Sequence, residues 1–527
     1  GPQSVLYGDH ALGGVINIIT HDAALPARTE AGASAASHGT YGANLATRGS
    51  VDRLRYSAGA DWLTSDGYRR NGGYDSVNLR AGIEAAATET LRLIFFGTYD
   101  HLENELPGSL TREQMDADPR QASTPDDKAG SDSGNASLAL QWDVTADQRL
   151  LADLIYNHRR AESDFFSMYN FPESTLDSLT LALRHQLDST LLECPTRLLT
   201  GFDFYLDRLA VDRYSEPERS LLLLDAIVEK YSYGAYLNHE TDLTESLTLT
   251  LGGRIEQARY AADVKAGAGG MLVDDSETHT VSALSASLLY RPVDTLKLYT
   301  TFSTLYRLPF LDEQVSYYGY GSDTFYQDLD PETGTSFEVG GAWRLAPDWT
   351  AEASLYRLDM EDEIAYNPVI HENANLDETC HQGASAALGW QRADLGAIKA
   401  RYSFTHAEFS SGANDGCRVP LVPRHHFNLA AQARLTTALT LLATLHVSGN
   451  QPVGGDNANS LERLASFTTL DLGLRYQPAR VAGLSLLVGV DNVLDEEYAN
   501  VAYAGFTDTG YYPAPGRTWK GALSYTF

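Results

Sequence analysis

The side chains best suited to chemistry are four carboxylates in one acidic stretch, Asp116, Asp118, Asp126 and Asp127. Carboxylate oxygens are preferred ligands of Ca²⁺, so the stretch is a candidate calcium site, although its spacing does not match an EF-hand loop. The alternative is a solvated acidic surface, consistent with a formal charge of −31 over 527 residues. That charge argues against a nucleic acid partner, because phosphate binding needs a basic surface.

Catalytic residues have no coherent setting in this sequence. An enzyme needs a nucleophile or an acid–base pair in a recognisable arrangement. The chain has no G-x-S-x-G elbow, no Walker loop and no C-x-x-C pair. His425 and His426 are adjacent, so on a strand they would face opposite sides and could not easily share an ion. The sequence therefore predicts a protein that is not an enzyme.

The elements that must position any site are β-strands. Residues alternate between apolar and polar types along Leu247–Glu256, Leu439–Ser448 and Thr468–Tyr476, which is typical of strands with one oily and one wet face. The wet faces carry charges such as Arg254 and Asp471. Charged inner faces indicate a water-filled interior and hence a barrel of more than eight strands. No apolar run approaches the roughly 18 residues of a membrane helix.

Connection lengths set the strand count. Short and long connections alternate from about residue 30 to the end, as expected for the periplasmic and external sides of a membrane barrel. This pattern predicts an all-β fold, a 22-stranded antiparallel transmembrane β-barrel over residues 30–527. The predicted external connections longer than fifteen residues are 102–132, 261–277, 306–334, 361–379 and 495–514.

The predicted topology also places each cysteine on one side of the membrane. Cys380 lies at the external start of a strand and Cys417 in a later external loop, on the same side of the membrane. Secreted compartments are oxidising, so we expect a Cys380–Cys417 disulfide. Cys194 falls in a periplasmic turn and is expected to be unpaired.

The two ends of the chain carry distinctive sequence motifs. Residues 1–20 read GPQSVLYGDHALGGVINIIT, in which Val5–Tyr7 and Val15–Ile19 predict short β runs separated by glycines. Residues 511–527 read YYPAPGRTWKGALSYTF and end on an aromatic of the oily face. Both stretches, with LDPETGTSFEVG at 329–340, resemble TonB-dependent outer-membrane receptors. The resemblance implies that residues 1–29 are the C-terminal end of a plug domain with its linker, and that most of the plug and the TonB box precede this sequence.

The resemblance also implies a function. Such receptors actively import a large, scarce nutrient across the Gram-negative outer membrane, in contact with outer-membrane lipid. Their periplasmic partner is TonB, which works with ExbB and ExbD. A ferric siderophore is the expected ligand here, with cobalamin as the alternative and a haem receptor or a passive porin less favoured.

Ligand contacts are expected from aromatic external loops and from the plug apex. Rigid amphipathic rings give contact surface at low entropic cost. The alternative for each ring is an interfacial aromatic belt. The candidate ligand-binding residues are Tyr7, Asp9, His10, Tyr306, Tyr317, Tyr318, Tyr320, Tyr326, Tyr503, Phe506 and Tyr511.

Overall fold

Twenty-two antiparallel strands close into one barrel in the computed structural model. The structure describes residues 3–16, 26–314, 325, 329–367, 372–505 and 507–527. The predicted fold class and strand number are confirmed. The barrel strands are β1 (Arg28–Ala36), β2 (Thr40–Val51), β3 (Leu54–Ser65), β4 (Tyr74–Ala86), β5 (Leu91–Glu105), β6 (Lys128–Thr145), β7 (Gln148–Asp164), β8 (Phe171–Leu191), β9 (Cys194–Tyr214), β10 (Leu222–Thr244), β11 (Leu247–Ala266), β12 (Met271–Val293), β13 (Leu296–Arg307), β14 (Glu332–Ala346), β15 (Trp349–Glu361), β18 (Thr379–Arg392), β19 (Gly396–Phe409), β20 (His425–Arg434), β21 (Leu439–Ser448), β22 (Phe467–Tyr476), β23 (Leu484–Asp491) and β26 (Thr518–Thr526).

The remaining elements are not strands of the barrel wall. Two hairpins sit within external connections, β16 (Ile364–Asn367) with β17 (Glu372–Asn375), and β24 (Ala499–Ala504) with β25 (Thr509–Pro513). The helices are α1 (Ser4–Tyr7) and α2 (Arg112–Ala117), with 3-10 turns at Gly8–His10 and Phe166–Met168. No helix in the described part of the chain is long and apolar enough to cross a membrane.

The barrel closes through its last strand. β26 pairs with β23 on one side and with β1 on the other, where Tyr525 lies opposite Ala31. The N–H of Phe527 donates to the carbonyl of Thr29 at 2.8 Å, which extends the seam to the final residue. Closure matters because an unpaired strand edge is not tolerated in lipid.

The two faces of the wall differ as predicted. On β11, Leu251 and Ile255 are 44% and 58% exposed, whereas Arg254 and Glu256 are almost completely buried inside the barrel. The outer face also carries all six tryptophans, by the alternation of their strands, in keeping with the aromatic girdles of membrane barrels. They are Trp62, Trp142, Trp343, Trp349, Trp390 and Trp519.

The wall has unequal height. Strands β8 to β12 contain 20 to 23 residues, whereas β1 to β4 contain 9 to 13. A membrane crossing needs only about 9–11 tilted residues, so β8 to β12 continue well beyond the bilayer. The predicted loop at 261–277 is accordingly wrong, since only residues 267–270 connect β11 to β12. Beyond the membrane the outer face meets water and turns polar at Asp263 and Lys265, while the inner face stays apolar at Ala262 and Val264. The oily outer face that marks a membrane strand is therefore lost there.

The N-terminal segment also departs from prediction. Val5–Tyr7 belongs to a helical turn rather than a strand, with the N–H groups of Leu6 and Tyr7 donating to the carbonyl of Gln3. The residues of the second predicted β run that the structure describes, Val15 and Ile16, are not in a strand, and residues 17–19 lie outside the described ranges. The described strands of the barrel are all paired on both sides, so they offer this segment no sheet edge, and a helical turn satisfies its backbone locally.

Candidate functional site

The N-terminal segment lies inside the barrel against its wall. α1 contacts β10, β11, β12 and β13. Val5 is buried, and a Cβ atom added at Gly252 would come within 2.9 Å of its Cγ1. Gly252 belongs to the inward face of β11, so the absence of a side chain there lets the segment approach the wall closely.

A buried ion pair fastens this segment to β10. The Nζ of Lys230 donates to Asp9 Oδ2 at 2.9 Å, and the two side chains are 7% and 6% exposed. Removing two charges from water is expensive, and their mutual attraction offsets that cost only in good geometry. The contact is therefore sensitive to loss of either partner.

Next to this ion pair lies a second buried network, centred on Arg254. Its Nη1 donates to Asp203 Oδ2 at 2.6 Å and its Nε to Glu256 Oε2 at 2.9 Å. The Tyr306 hydroxyl donates to the same Glu256 oxygen at 2.7 Å. The guanidinium also lies over the ring of Tyr236, 5.4 Å from its centroid. Three strands, β9, β11 and β13, are thereby joined on the lumen side.

Beyond Tyr306 the chain turns back onto the inner face of the tall wall. The Tyr260 hydroxyl donates to the carbonyl of Pro309 at 2.7 Å. Leu308 and Leu311 are buried in one apolar cluster with Val5 and the inner side chains of β10 to β12. The N-terminal segment, the wall and the start of the β13–β14 connection therefore share one core.

Arg307 braces the same connection. Its guanidinium bonds Glu313 at 2.8 Å and Glu332 at 2.5 Å, and all three side chains are less than a fifth exposed. The carbonyl of Glu313 in turn accepts from the Asn373 side chain at 3.2 Å, which links the connection to the β16–β17 hairpin. Movement of one external connection would therefore be felt by the next.

A separate apolar cluster ties together other external connections. Leu110 and Tyr511 exchange backbone hydrogen bonds of 2.9 and 2.7 Å. Burial raises the pKa of the Tyr511 hydroxyl. Arg69, also buried, donates to three backbone carbonyls of the 106–127 connection. The members of the cluster are Leu110, Met115, Val453, Leu464, Ala499, Ala502 and Tyr511.

The predicted ligand-binding residues fall into different settings. Tyr7 and Tyr503 are 46% and 47% exposed and can present their rings. Asp9, Tyr306 and Tyr511 are buried and act as anchors rather than as open contact surface. His10 lies in a 3-10 turn, but its side chain is outside what the structure describes. Also outside the described residues are Tyr317, Tyr318, Tyr320, Tyr326 and Phe506.

Three of the four candidate calcium ligands take separate partners. Asp118 pairs with Arg70 at 2.8 Å, and this hydrogen bond, more than any other contact, lowers the pKa of the Asp118 carboxyl. Asp116 lies 3.3 Å from Arg112 on α2. Asp127 is buried and accepts from the backbone and hydroxyl of Ser167. Asp126 is exposed in the same connection. Across the residues described, no three His, Cys, Asp or Glu side chains come together to hold a metal ion.

The predicted Cys380–Cys417 disulfide is wrong for this structure. Both residues are free thiols, as is Cys194. Cys380 is buried and accepts from the Gln382 side chain on its own strand. The Cys417 thiol instead points to the carbonyl of Ala458, 3.6 Å away in the next external connection. Strand parity placed the two cysteines on one side of the membrane but could not place their side chains face to face.

Sequence reasoning assigned Arg254 and Glu256 to the inner face but missed them as site residues, together with Lys230 and Asp203. The available signal was an unusual density of charge at inward positions of adjacent strands. Each charge looked like ordinary lumen lining until strand register brought Asp203 beside Arg254.

A double-mutant cycle on Asp9→Asn and Lys230→Met should give a coupling energy well above that of an exposed lumen pair. Lys520 and Asp491 provide the matched control, because they bond at 2.6 Å but are 45% and 37% exposed. Exposed pairs contribute about 0–1 kcal/mol. Urea unfolding in detergent micelles measures both cycles. Equal coupling energies would show that the N-terminal segment is not held by the buried pair.

Comparison with known proteins identifies the fold's relatives. Residues 85–493 match the family model described as TonB dependent receptor-like, beta-barrel. The chain belongs to this family. An iron-regulated outer membrane virulence protein of Vibrio cholerae serotype O1 is 23% identical, over 97% of this chain and 77% of that protein.

Solved structures of TonB-dependent receptors superpose over the whole chain. The unliganded ferric citrate transporter FecA gives a TM-score of 0.86 at 19% identity, covering 100% of this chain and 82% of FecA. The ferric yersiniabactin uptake receptor FyuA of Yersinia pestis gives 0.83 at 18%, covering 100% and 84%. This TonB-dependent receptor is thus an integral β-barrel of the Gram-negative outer membrane.

Proposed function

We propose that this TonB-dependent receptor imports a ferric siderophore. Supporting the ligand class are the names of its relatives, which include transporters of ferric citrate and ferric yersiniabactin and an iron-regulated outer membrane protein.

The structural observation behind the proposal is a continuous chain of contacts from mouth to interior. The β13–β14 connection follows directly on Tyr306 and Arg307 at the end of β13, and Tyr306 bonds Glu256 and Arg254. The same cluster holds Val5, four residues before Asp9 and its ion pair with Lys230. A ligand that displaces the external connection would therefore disturb the packing of the N-terminal segment.

In this proposal residues 3–16 are the end of a plug that TonB, with ExbB and ExbD, pulls from the periplasmic side. The Asp9–Lys230 pair is the tether that must yield, since it is the ion pair between the described N-terminal segment and the wall. External connections capture the ligand, and the tether keeps the lumen closed until force is applied. No chemical step on the ligand is needed.

Uptake of radioactive iron is the decisive measurement. Cells expressing the complete receptor gene should accumulate iron from a ferric siderophore and should not accumulate labelled cyanocobalamin. Intrinsic fluorescence is a poor readout for a lumen ligand because every tryptophan faces lipid. Cells lacking TonB should bind but not accumulate iron. Accumulation of cobalamin instead, or iron accumulation without TonB, would contradict the proposal.

A further inference from the structure

Exposed apolar side chains lie at the external end of the long strands β8 to β12. Leu221 ends the β9–β10 connection and Leu223 is the second residue of β10, and Met271 and Leu272 begin β12 after the β11–β12 turn. They are 58%, 40%, 52% and 44% exposed. Solitary exposed apolar residues are ordinary, but a group of them on neighbouring connections indicates an interaction site. We call these four residues the apolar rim.

Membrane lipid does not cover the apolar rim. β10 and β12 each contain 23 residues, of which a crossing uses about 9–11. The periplasmic ends of both strands lie at their far termini, so roughly half of each strand projects outside. At about 3.3 Å per residue and a tilt near 45°, the rim stands on the order of 20 Å above the bilayer.

Hydrogen bonds join the connections that carry the apolar rim, which favours a binding role. The N–H of Gly267 donates to the carbonyl of Leu223 at 2.9 Å, joining the two connections. A Cβ atom at Gly267 would lie 1.8 Å from the Leu222 carbonyl oxygen, so only glycine fits there. In the neighbouring turn, hydrogen bonds from the Ser215 hydroxyl and the Leu221 N–H lower the pKa of Glu216 to about 2. A preordered surface loses little entropy on binding.

Below the rim, the outer face of the same wall is acidic. A groove of about 310 Å³ is lined by Glu229, Arg259, Asp263 and Asp274 among others. Carboxylates outnumber cations across this part of the face. The carboxylates are Asp212, Asp225, Glu229, Asp263 and Asp274, and the cations are Arg208, Arg259 and Lys265.

We propose that the apolar rim and the acidic groove form an extracellular docking surface for a basic polypeptide. Apolar side chains of the partner would cover Leu221, Leu223, Met271 and Leu272, and its cations would enter the groove. A second copy of this chain is disfavoured as the occupant, because it would bring the same acidic face against the first. The surface lies outside the lumen, so this inference does not depend on the ligand that the receptor imports.

A pair of fluorescent synthetic peptides tests the docking surface. One alternates lysine and leucine, and the other alternates glutamate and leucine. We expect the purified receptor in nonionic detergent to bind the lysine peptide at least tenfold more tightly by anisotropy. The double substitution Leu223→Ser with Met271→Ser should weaken binding at least tenfold. Asp263→Asn with Asp274→Asn should weaken it and reduce its dependence on salt.

A matched variant on the opposite rim localises the effect. Leu461 and Asp508 are likewise exposed in external connections, so Leu461→Ser with Asp508→Asn should leave the affinity unchanged. Comparing the gel mobility of heated and unheated samples checks that every variant is folded. Equal binding of both peptides, equal loss in the matched variant, or no loss in the rim variant would overturn the proposal. Self-association of the receptor that the rim variant abolishes would also overturn it, in favour of a second copy.

Discussion

Replacing Arg254 with methionine should lower the free energy of unfolding by about 3–5 kcal/mol, because Asp203 and Glu256 would remain buried without their cation. The three side chains are 0%, 5% and 1% exposed, so water cannot compensate. Urea titration of the folded barrel in micelles measures the change. A loss below about 1 kcal/mol would mean that water or another cation reaches the carboxylates.

A triple substitution provides the control for this prediction. Arg254→Met combined with Asp203→Leu and Glu256→Leu removes all the charges together. Apolar replacement of a whole buried ion network is often neutral. The triple variant should therefore recover most of the stability that Arg254→Met loses, and failure to recover it would point to lost packing against Tyr236 rather than to uncompensated charge.

Placing arginine on the lipid face should have a comparable effect. Leu472 lies midway along β22 on the outer face, opposite Ala443 and Val490. Arginine near the bilayer midplane costs about 2–4 kcal/mol in membrane barrels. Unfolding titrations in lipid vesicles should show this loss for Leu472→Arg.

The matched variant is Thr444→Arg, which places the same side chain in the lumen. Thr444 lies opposite Asp471 on the inner face, so the guanidinium would meet water and a carboxylate. Little change in stability is expected. If the two arginines cost the same, the assignment of inner and outer faces would be wrong.

Local sequence predicts the barrel well because its strands obey a strict two-residue period. Leu247–Glu256 shows the period, and the structure exposes Ile255 while burying Arg254 as that period requires. The signal weakens in the strand segments beyond the bilayer, where the outer face no longer meets lipid. Above the membrane, residues 261–266 continue β11 with Asp263 and Lys265 on the outer face and Ala262 and Val264 buried on the inner one. Because the outer face is no longer apolar, the sequence pattern suggested a loop.

The site was harder to predict because it depends on contacts between distant parts of the chain. Asp9 and Lys230 are 221 residues apart, and Tyr306 meets Glu256 across 50 residues. Val5–Tyr7 has strand-like composition, yet its surroundings at the wall favour a helical turn. Neither outcome is encoded in local periodicity, since both require the register of several strands at once.

The seam between β1 and β26 constrains the order of assembly. Arg28 bonds Thr526 across 498 residues of sequence, so the polypeptide must be synthesised through β26 before the cylinder can shut. Loop-closure entropy rises only slowly with length, but contacts of such separation form slowly. Until then both terminal strands expose unsatisfied edges, which makes the unclosed intermediate prone to aggregation and to capture by chaperones.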